Sequence, residues 1–393
     1  MGEYIPVVDE KGKIREFVNL GADFVYYSDG ASEKIFFWDL DKGVLINDLI
    51  KDSKIILPDA DIIVIDKLLD KTKNIIAYTF STLDDIVKII AKNLREKLKG
   101  KKVLHSFSGG KDSIASLYLL LKLQSEISFK LDAVYVHVPY LESLDTHRFL
   151  DDVEKRLGIE IKRLEADRKI MLYSFKKYGM PFRGFRWCTY LKVKAIRKVK
   201  KEGRYDYEVK GDRSGESYKR FKTLLEYAKQ RMFISGKQFK PIFFMTLLDV
   251  VRINRELDLV HPHYLKGCPR IACEFCPYKN LFEFSVTDKN VEDIGFIENM
   301  IKETYKRGYD IPFEDYINRH MWRFHPNLAK SFYSLSKILR DENLETISIQ
   351  KVVNDFSSIW INPLPKLKVI NFDKIFEELM NLSKIEKFGV FEL

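Results

Sequence analysis

Apolar residues recur at helical spacing through "STLDDIVKIIAKNLREKLKGKK", residues 81–102. Ser81 or Thr82 can cap this run, Asp84 and Asp85 suit its first turn, and Gly100 ends it. The period then alternates. "KVLHSF" reads as a strand, "SGGKDS" as a polar turn and "IASLYLLLKLQ" as a helix; "LDAVYVHV" is a strand, "THRFLDDVEKRLG" a helix and "IEIKRLE" a strand. A further helix at "TYLKVKAIRKVKKEG" precedes a strand at "YDYEVKG". Strands alternating with helices predict an α/β fold, a parallel sheet with helices on both faces. Ahead of it, "FVYYS", "KIFFWDL" and "IIVIDKL" are short β-rich pieces separated by turn signals such as "DGASEK". After about residue 285 helical periodicity dominates. The expected organisation is a small β-rich N-terminal domain over 1–80, an α/β domain over 81–285 and a helical C-terminal region over 286–393.

A chain of 393 residues with 46% apolar content has room for two or three cores. The N-terminal "MGEYIPVVDEKG" has no apolar leader segment, and no later run approaches the roughly 18 apolar residues that a membrane span needs. A soluble, cytoplasmic protein without membrane contacts is expected. The net charge of +10 is unevenly spread: residues 1–100 hold 15 Lys/Arg against 18 Asp/Glu, and residues 161–240 hold 24 against 8. Such a basic block suits an anionic partner, a nucleic acid or a multiply charged nucleotide, or else is a solvated face. Within it, "YSFKKYGMPFRGFRWCTYLK" interleaves cations with aromatics that either stack on bases or fill a core.

The turn between "KVLHSF" and the next helix has the chemistry of a phosphate cradle, because backbone N–H groups and the helix dipole converge on an anion there. Gly109 and Gly110 let the backbone curl closely, Lys111 adds a point charge, Ser108 and Ser113 add hydroxyls, and Asp112 can hold a divalent cation. The turn is not a G-x-x-x-x-G-K-S/T loop, since His105 stands where the first glycine belongs.

The chain has four cysteines: Cys188, then Cys268-x4-Cys273-x2-Cys276. Such clustering points to metal or redox chemistry rather than a disulfide framework, and four thiolates suit either zinc or an iron–sulfur cluster. His261 and His263 beside them are expected to pack rather than ligate, since four cysteines already fill a tetrahedral site.

Residue for residue, "SGGKDS" resembles the pyrophosphate loop of the adenine-nucleotide α-hydrolase-like superfamily. Together with "RWCTYLKVKAI", "KGDRSGESYKR", "PIFFMTLLDVVRINRELDL" and "HPHYLKGCPRIACEFCP", it is similar in order and style to the phosphoadenosine phosphosulfate reductase family over about residues 95–285. The resemblance implies that Ser106, Ser108, Gly109, Gly110, Lys111, Asp112 and Ser113 grip an adenine nucleotide, with Mg²⁺ accompanying ATP. It also implies that Arg213, Glu216 and Ser217, matching G-x-R-x-x-E-S, lie near that nucleotide, and that Lys111, Asp112 and Arg213 act in catalysis. Iron–sulfur sulfurtransferase members imply a [4Fe–4S] cluster on Cys188, Cys268, Cys273 and Cys276, with zinc as the second choice.

Three departures bear on function. Sulfonucleotide reductases of this family need a nucleophilic cysteine near the C-terminus, whereas this chain reads "KFGVFEL" there; they also usually lack the intact loop kept by ATP-using relatives. Many relatives have an acidic turn where this chain has "HVPYLES". The expectation is an enzyme that cleaves ATP at the α phosphate to AMP and pyrophosphate, activating an acceptor for sulfur transfer to a nucleic acid, tRNA or DNA, with a sulfur-donor protein as a further partner. A sulfonucleotide reductase using an external thiol, and a non-catalytic nucleotide- or nucleic-acid-binding subunit with a structural metal centre, are the alternatives.

Overall fold

A computed structural model of the chain describes residues 4–8, 14–19, 23–28, 33–51, 78–79, 82–214, 218–364, 368–369, 374 and 377. The expected "IIVIDKL" strand lies outside them. At the N-terminus, β1 (Tyr4–Val8), β2 (Ile14–Asn19), β3 (Phe24–Ser28), β4 (Glu33–Asp39) and β5 (Lys42–Leu45) form an antiparallel meander, and β6 is the short Tyr78–Thr79.

Thr82 caps the helix Leu83–Leu98, its side chain accepting from the Asp85 amide at 3.2 Å. The α/β part follows with β7 (Lys102–Phe107), β8 (Lys130–His137), β9 (Ile161–Glu165), β10 (Tyr207–Val209), β11 (Ile234–Ser235) and β12 (Gln238–Phe239). The spatial order is β11-β12-β10-β7-β8-β9, parallel throughout except for β11 at the edge. This mostly parallel sheet with its helices is the expected fold class. From β7 the chain steps outward to β8 and β9, then returns to lay β10 on the other side of β7. The sheet therefore reverses direction at β7, which opens a crevice at its carboxyl end.

β7 is apolar because it is covered on both faces: Val103, Leu104 and Phe107 are buried, and so is His105. The helix Lys111–Gln124 sits between two apolar clusters. Ala115, Leu119, Leu120 and Leu123 face one with Val209 and Phe239; Ile114 and Leu117 face the other with Tyr135, Phe149 and Ile161. Being wedged from two sides fixes the position of this helix, and with it the turn at its start.

The region beyond residue 285 is mainly helical, with helices over Ile294–Tyr305, Phe313–Asn318, Pro326–Asp341 and Ile349–Ile361. It also holds β13 (Thr346–Ser348), which pairs antiparallel with β5 and completes a six-stranded N-terminal sheet, and β14 (Lys368–Val369), which pairs with β6. Ile35, Phe37 and Val44 share a core with Val136 and Val138 at the end of β8 and with Phe332 and Leu335. Buried charge fastens the same contact. Asp23 accepts from both terminal guanidinium nitrogens of Arg323, at 2.8 and 2.9 Å, and from the Leu281 amide at 2.9 Å, and Arg319 pairs with Asp39. Among the described residues no helix is long and apolar enough to cross a membrane.

Candidate functional site

The turn from β7 into the helix Lys111–Gln124 lies at the point of reversal. Gly109 has φ +78°, a conformation that side-chain-bearing residues rarely adopt. Gly110 occupies the N-cap position and has no side chain with which to cap the helix; the Tyr264 hydroxyl takes the Lys111 amide and the Gly110 carbonyl takes the Ser113 amide, while the helix dipole still favours an anion at this end. Within the turn the Ser108 amide donates to the Ser113 hydroxyl at 3.0 Å, and the Gly110 amide donates to the Ser108 hydroxyl at 3.4 Å. Serines 108 and 113 thus shape the loop from inside. Ser106 points elsewhere, donating to Glu208 on β10 at 3.2 Å.

Lys111, Asp112 and Arg213 meet at this helix start. Asp112 pairs with the Arg213 Nε and lies 3.3 Å from the Lys111 ammonium. Both cations are 1% exposed, while the aspartate side chain keeps 15% of its surface. Burial pushes the Asp112 carboxyl up, but the charges of Arg213 and Lys111 and their hydrogen bonds outweigh it and hold it below the usual carboxylate range. Arg213 reaches so far because Gly211 lets the two chains touch: a Cβ there would stand 2.8 Å from the Asp112 carbonyl oxygen. Glu216 and Ser217 lie outside the described residues.

Several neighbours escaped the sequence reading. The Lys111 amide donates to the Tyr264 hydroxyl at 2.9 Å, the Lys111 ammonium donates to the Pro269 carbonyl at 3.3 Å, and the Asn254 amide nitrogen donates to the Lys111 carbonyl at 3.0 Å. Tyr264 stands in the quoted "HPHYLKGCPRIACEFCP", but nothing in its spacing marks it as a partner of a residue so distant in sequence. His105, beneath the loop, is fully buried; its Nε2 lies 2.7 Å from the Ser116 hydroxyl, and burial lowers its pKa to about 3. His261 and His263 pack as expected, His261 accepting the His263 amide at 3.1 Å to start a short helix.

The four cysteines do not form one group. Cys188 stands in the first turn of the helix Trp187–Gly203, and Cys273 and Cys276 close a tight turn with a 3.1 Å backbone bond. These three thiols act on one another electrostatically, and burial raises Cys188 to about 11 and raises Cys273 as well. Cys268 is raised by burial in another setting, among Glu283, Lys279, Glu274 and Lys266. Among the described residues no set of three or more Cys, His, Asp or Glu side chains is placed to hold a metal ion. This arrangement does not fit a closed four-cysteine centre. Beside Cys273 stands Glu142, from the "HVPYLES" departure: it accepts the thiol at 3.6 Å and pairs with Lys192, one helical turn beyond Cys188.

Comparison with known proteins places these features in one stretch. Residues 102–279 match the phosphoadenosine phosphosulfate reductase domain. The chain is 31% identical over 238 residues to the uncharacterized protein MJ0066 of Methanocaldococcus jannaschii, covering 59% of this chain and 48% of that protein. It is 24% identical over 275 residues to the tRNA(Ile)-lysidine synthase of Persephonella marina, covering 65% of this chain and 50% of that enzyme. The chain thus spans about half the length of these relatives. Among solved structures, the U34-tRNA thiolase NcsA from Methanococcus maripaludis with its [4Fe–4S] cluster aligns with a TM-score of 0.36 and 16% identity, over 73% of this chain and 90% of that one. The glycine turn, Asp112, Arg213 and all four cysteines lie within this one stretch, residues 102–279, that matches the phosphoadenosine phosphosulfate reductase domain.

Proposed function

We propose that this chain binds ATP with its triphosphate tail on the Ser108–Ser113 turn and cleaves it at the α phosphate. In this reaction an acceptor oxygen attacks the α phosphorus, the bond to the bridging oxygen breaks, and pyrophosphate leaves. The acceptor is then an AMP ester, from which a sulfur nucleophile brought by a sulfur-donor protein displaces AMP. The observation that carries this reading is the meeting of Lys111, Asp112 and Arg213 at a glycine-led helix start, at the reversal point of a mostly parallel sheet.

Each residue has a separate task. Gly109 and Gly110 bring the backbone close to the phosphates. Lys111 and Arg213 neutralise the charge that gathers on the departing pyrophosphate, and being fixed and buried they need little reorganisation to do so. Asp112, ionised and partly exposed, is the residue to hold Mg²⁺, which when bound would further neutralise the polyphosphate. Ser108, Ser113, Glu216 and Ser217 complete the proposed nucleotide contacts, and Ser106 would have to turn from Glu208 to join them.

A tRNA acceptor draws support from the basic block at 161–240 and from the similarity to a tRNA(Ile)-lysidine synthase. A metal centre on the cysteines, [4Fe–4S] or zinc, belongs to the same proposal; Cys188, Cys273 and Cys276 are near enough to act on one another electrostatically, they would have to draw closer to hold a metal, and no step above passes through it. The test is to incubate the protein with Mg²⁺, ATP and tRNA and measure AMP and pyrophosphate. Pyrophosphate formation that rises with tRNA supports the reading, and its absence under all acceptors overturns it. Turnover of phosphoadenosine phosphosulfate with an added thiol, and none with ATP, favours the reductase instead.

A further inference from the structure

The helix Trp187–Gly203 buries Trp187 and Leu191 and exposes a stripe on its opposite face: Tyr190, Lys194, Arg197, Lys201 and, just past its end, Arg204. These positions follow at steps of four, three, four and three, one side of a helix over about 20 Å. Cations on this helix divide by face. Off the stripe, Lys192 pairs with Glu142, Lys198 with Glu202 at 4.0 Å and Lys200 with Glu208 at 2.5 Å. On the stripe, none of Lys194, Arg197, Lys201 and Arg204 has a carboxylate partner among the described residues. A merely solvated helix face gives no reason for that division.

Each end of the stripe has its own character. At the Cys188 end the aromatics of the basic block separate into two sets: Phe175 and Trp187 are buried, whereas Tyr173 is 57% and Tyr190 60% exposed, with Tyr178 and Phe185 also exposed. The Lys177 ammonium lies 5.2 Å from the Tyr178 ring centre, and Arg186 stacks 4.6 Å from the Tyr278 ring centre, next to the Cys273–Cys276 turn. At the far end Lys201 and Arg204 join Lys200 and Lys237 around a cavity of about 550 Å³. Its one acid, Asp206, is already occupied by the Lys101 ammonium at 3.3 Å and the Lys102 amide at 2.8 Å.

We infer that this stripe is a track for an unpaired RNA strand, with bases stacking on Tyr190 and the exposed aromatics at the cysteine end and the phosphate backbone running along Lys194, Arg197, Lys201 and Arg204 to the cavity. The inference rests on the RNA-acceptor reading above and gives it a surface. Exposed aromatic faces take bases only where those bases are not already stacked in a duplex, which is why the strand is single.

Fluorescence anisotropy of the full chain with a labelled, unstructured 20-nucleotide RNA, without ATP, tests it. Four phosphate contacts give a slope of log K against log salt of about −2.8, and each stripe cation changed to alanine should make it about 0.7 shallower. Tyr190→Ala should weaken binding roughly 5- to 150-fold, while Lys198→Ala, off the stripe, should change neither quantity. An Arg197→Ala/Lys201→Ala protein that is folded by circular dichroism yet keeps the wild-type slope overturns the inference. So does tighter binding of duplex RNA, or of single-stranded DNA, than of the single-stranded RNA. Ultraviolet crosslinking of the unmodified protein to the same RNA serves if a variant fails to fold: adducts within 173–204 support the track, and adducts confined elsewhere refute it. Because binding is read without nucleotide and ATP cleavage is read as AMP, either reading can fail while the other stands.

Discussion

Asp112→Asn removes a carboxylate that faces both Lys111 and Arg213, each 1% exposed. Removing one partner of a buried ion pair costs about 3–5 kcal/mol, because the remaining charge stays out of water. Here the aspartate keeps 15% of its side-chain surface, so water reaches the pair and the lower end, about 3 kcal/mol, applies. At about 2.1 cal/mol/K per residue, a chain of 393 residues melting as one unit would lose roughly 4 °C. A nucleotide-site role adds a second signature. Pyrophosphate supplies the negative charge the variant lacks, so it should raise the melting temperature of Asp112→Asn more than that of the wild type, in which the carboxylate competes for the same cations. Differential scanning fluorimetry with and without millimolar pyrophosphate reads both effects. A variant melting within 1 °C of wild type, with an equal response to pyrophosphate, would refute the claim that this carboxylate balances two buried cations at an anion site.

Other expectations follow from the same geometry. Gly109→Ala, at φ +78°, should cost about 1–2 kcal/mol through backbone strain alone, since its Cβ meets only the Thr146 methyl at 3.5 Å; urea denaturation measures the cost, and AMP formation should fall with it. His105 has a folded pKa of about 3 against 6.5 in the unfolded chain, so its contribution to stability is present above pH 6.5 and is lost as pH falls below it. Between pH 7.0 and 5.5 it should remove about 1.3 kcal/mol, so a His105→Gln protein should lose that much less than wild type over the same interval. Anaerobic metal analysis decides the cysteine proposal: iron with brown colour in the wild type, lost in Cys273→Ser, supports the cluster, whereas a colourless protein rich in zinc supports zinc. Retention of metal in Cys268→Ser would confine the centre to the three grouped thiols.

Much of the α/β part is written in its periodicity. β7, β8, β9 and β10 and the helices between them lie where strand-like and helix-like runs alternate, because strands covered on both faces must be apolar and helices wedged between cores must follow the 3.6-residue period. The glycine turn was legible for the same local reason. What was hidden is non-local. β13 is three residues long, too short for any period, and becomes a strand only because β5 offers it a partner. Tyr264 and Asn254 touch the loop from positions over 140 residues away, a distance no spacing rule spans. The different surroundings of Cys268, among Glu283, Lys279, Glu274 and Lys266, were invisible too, since three cysteines within nine residues read as one cluster. In the basic block, sequence showed the mixture of cations and aromatics but not which rings face solvent; only the helix phase sorts Trp187 inward and Tyr190 outward.

The pairing of β5 with residues 346–348 has a bearing on how the protein is made. During synthesis on a ribosome the N-terminal meander emerges some three hundred residues before the strand that covers its last edge. Throughout that interval β5 presents unsatisfied main-chain donors and acceptors to any extended segment nearby, including the same strand on a neighbouring nascent chain. Yield at high expression should therefore respond to translation rate and to chaperone supply, and a premature stop before residue 346 should direct its product into inclusion bodies.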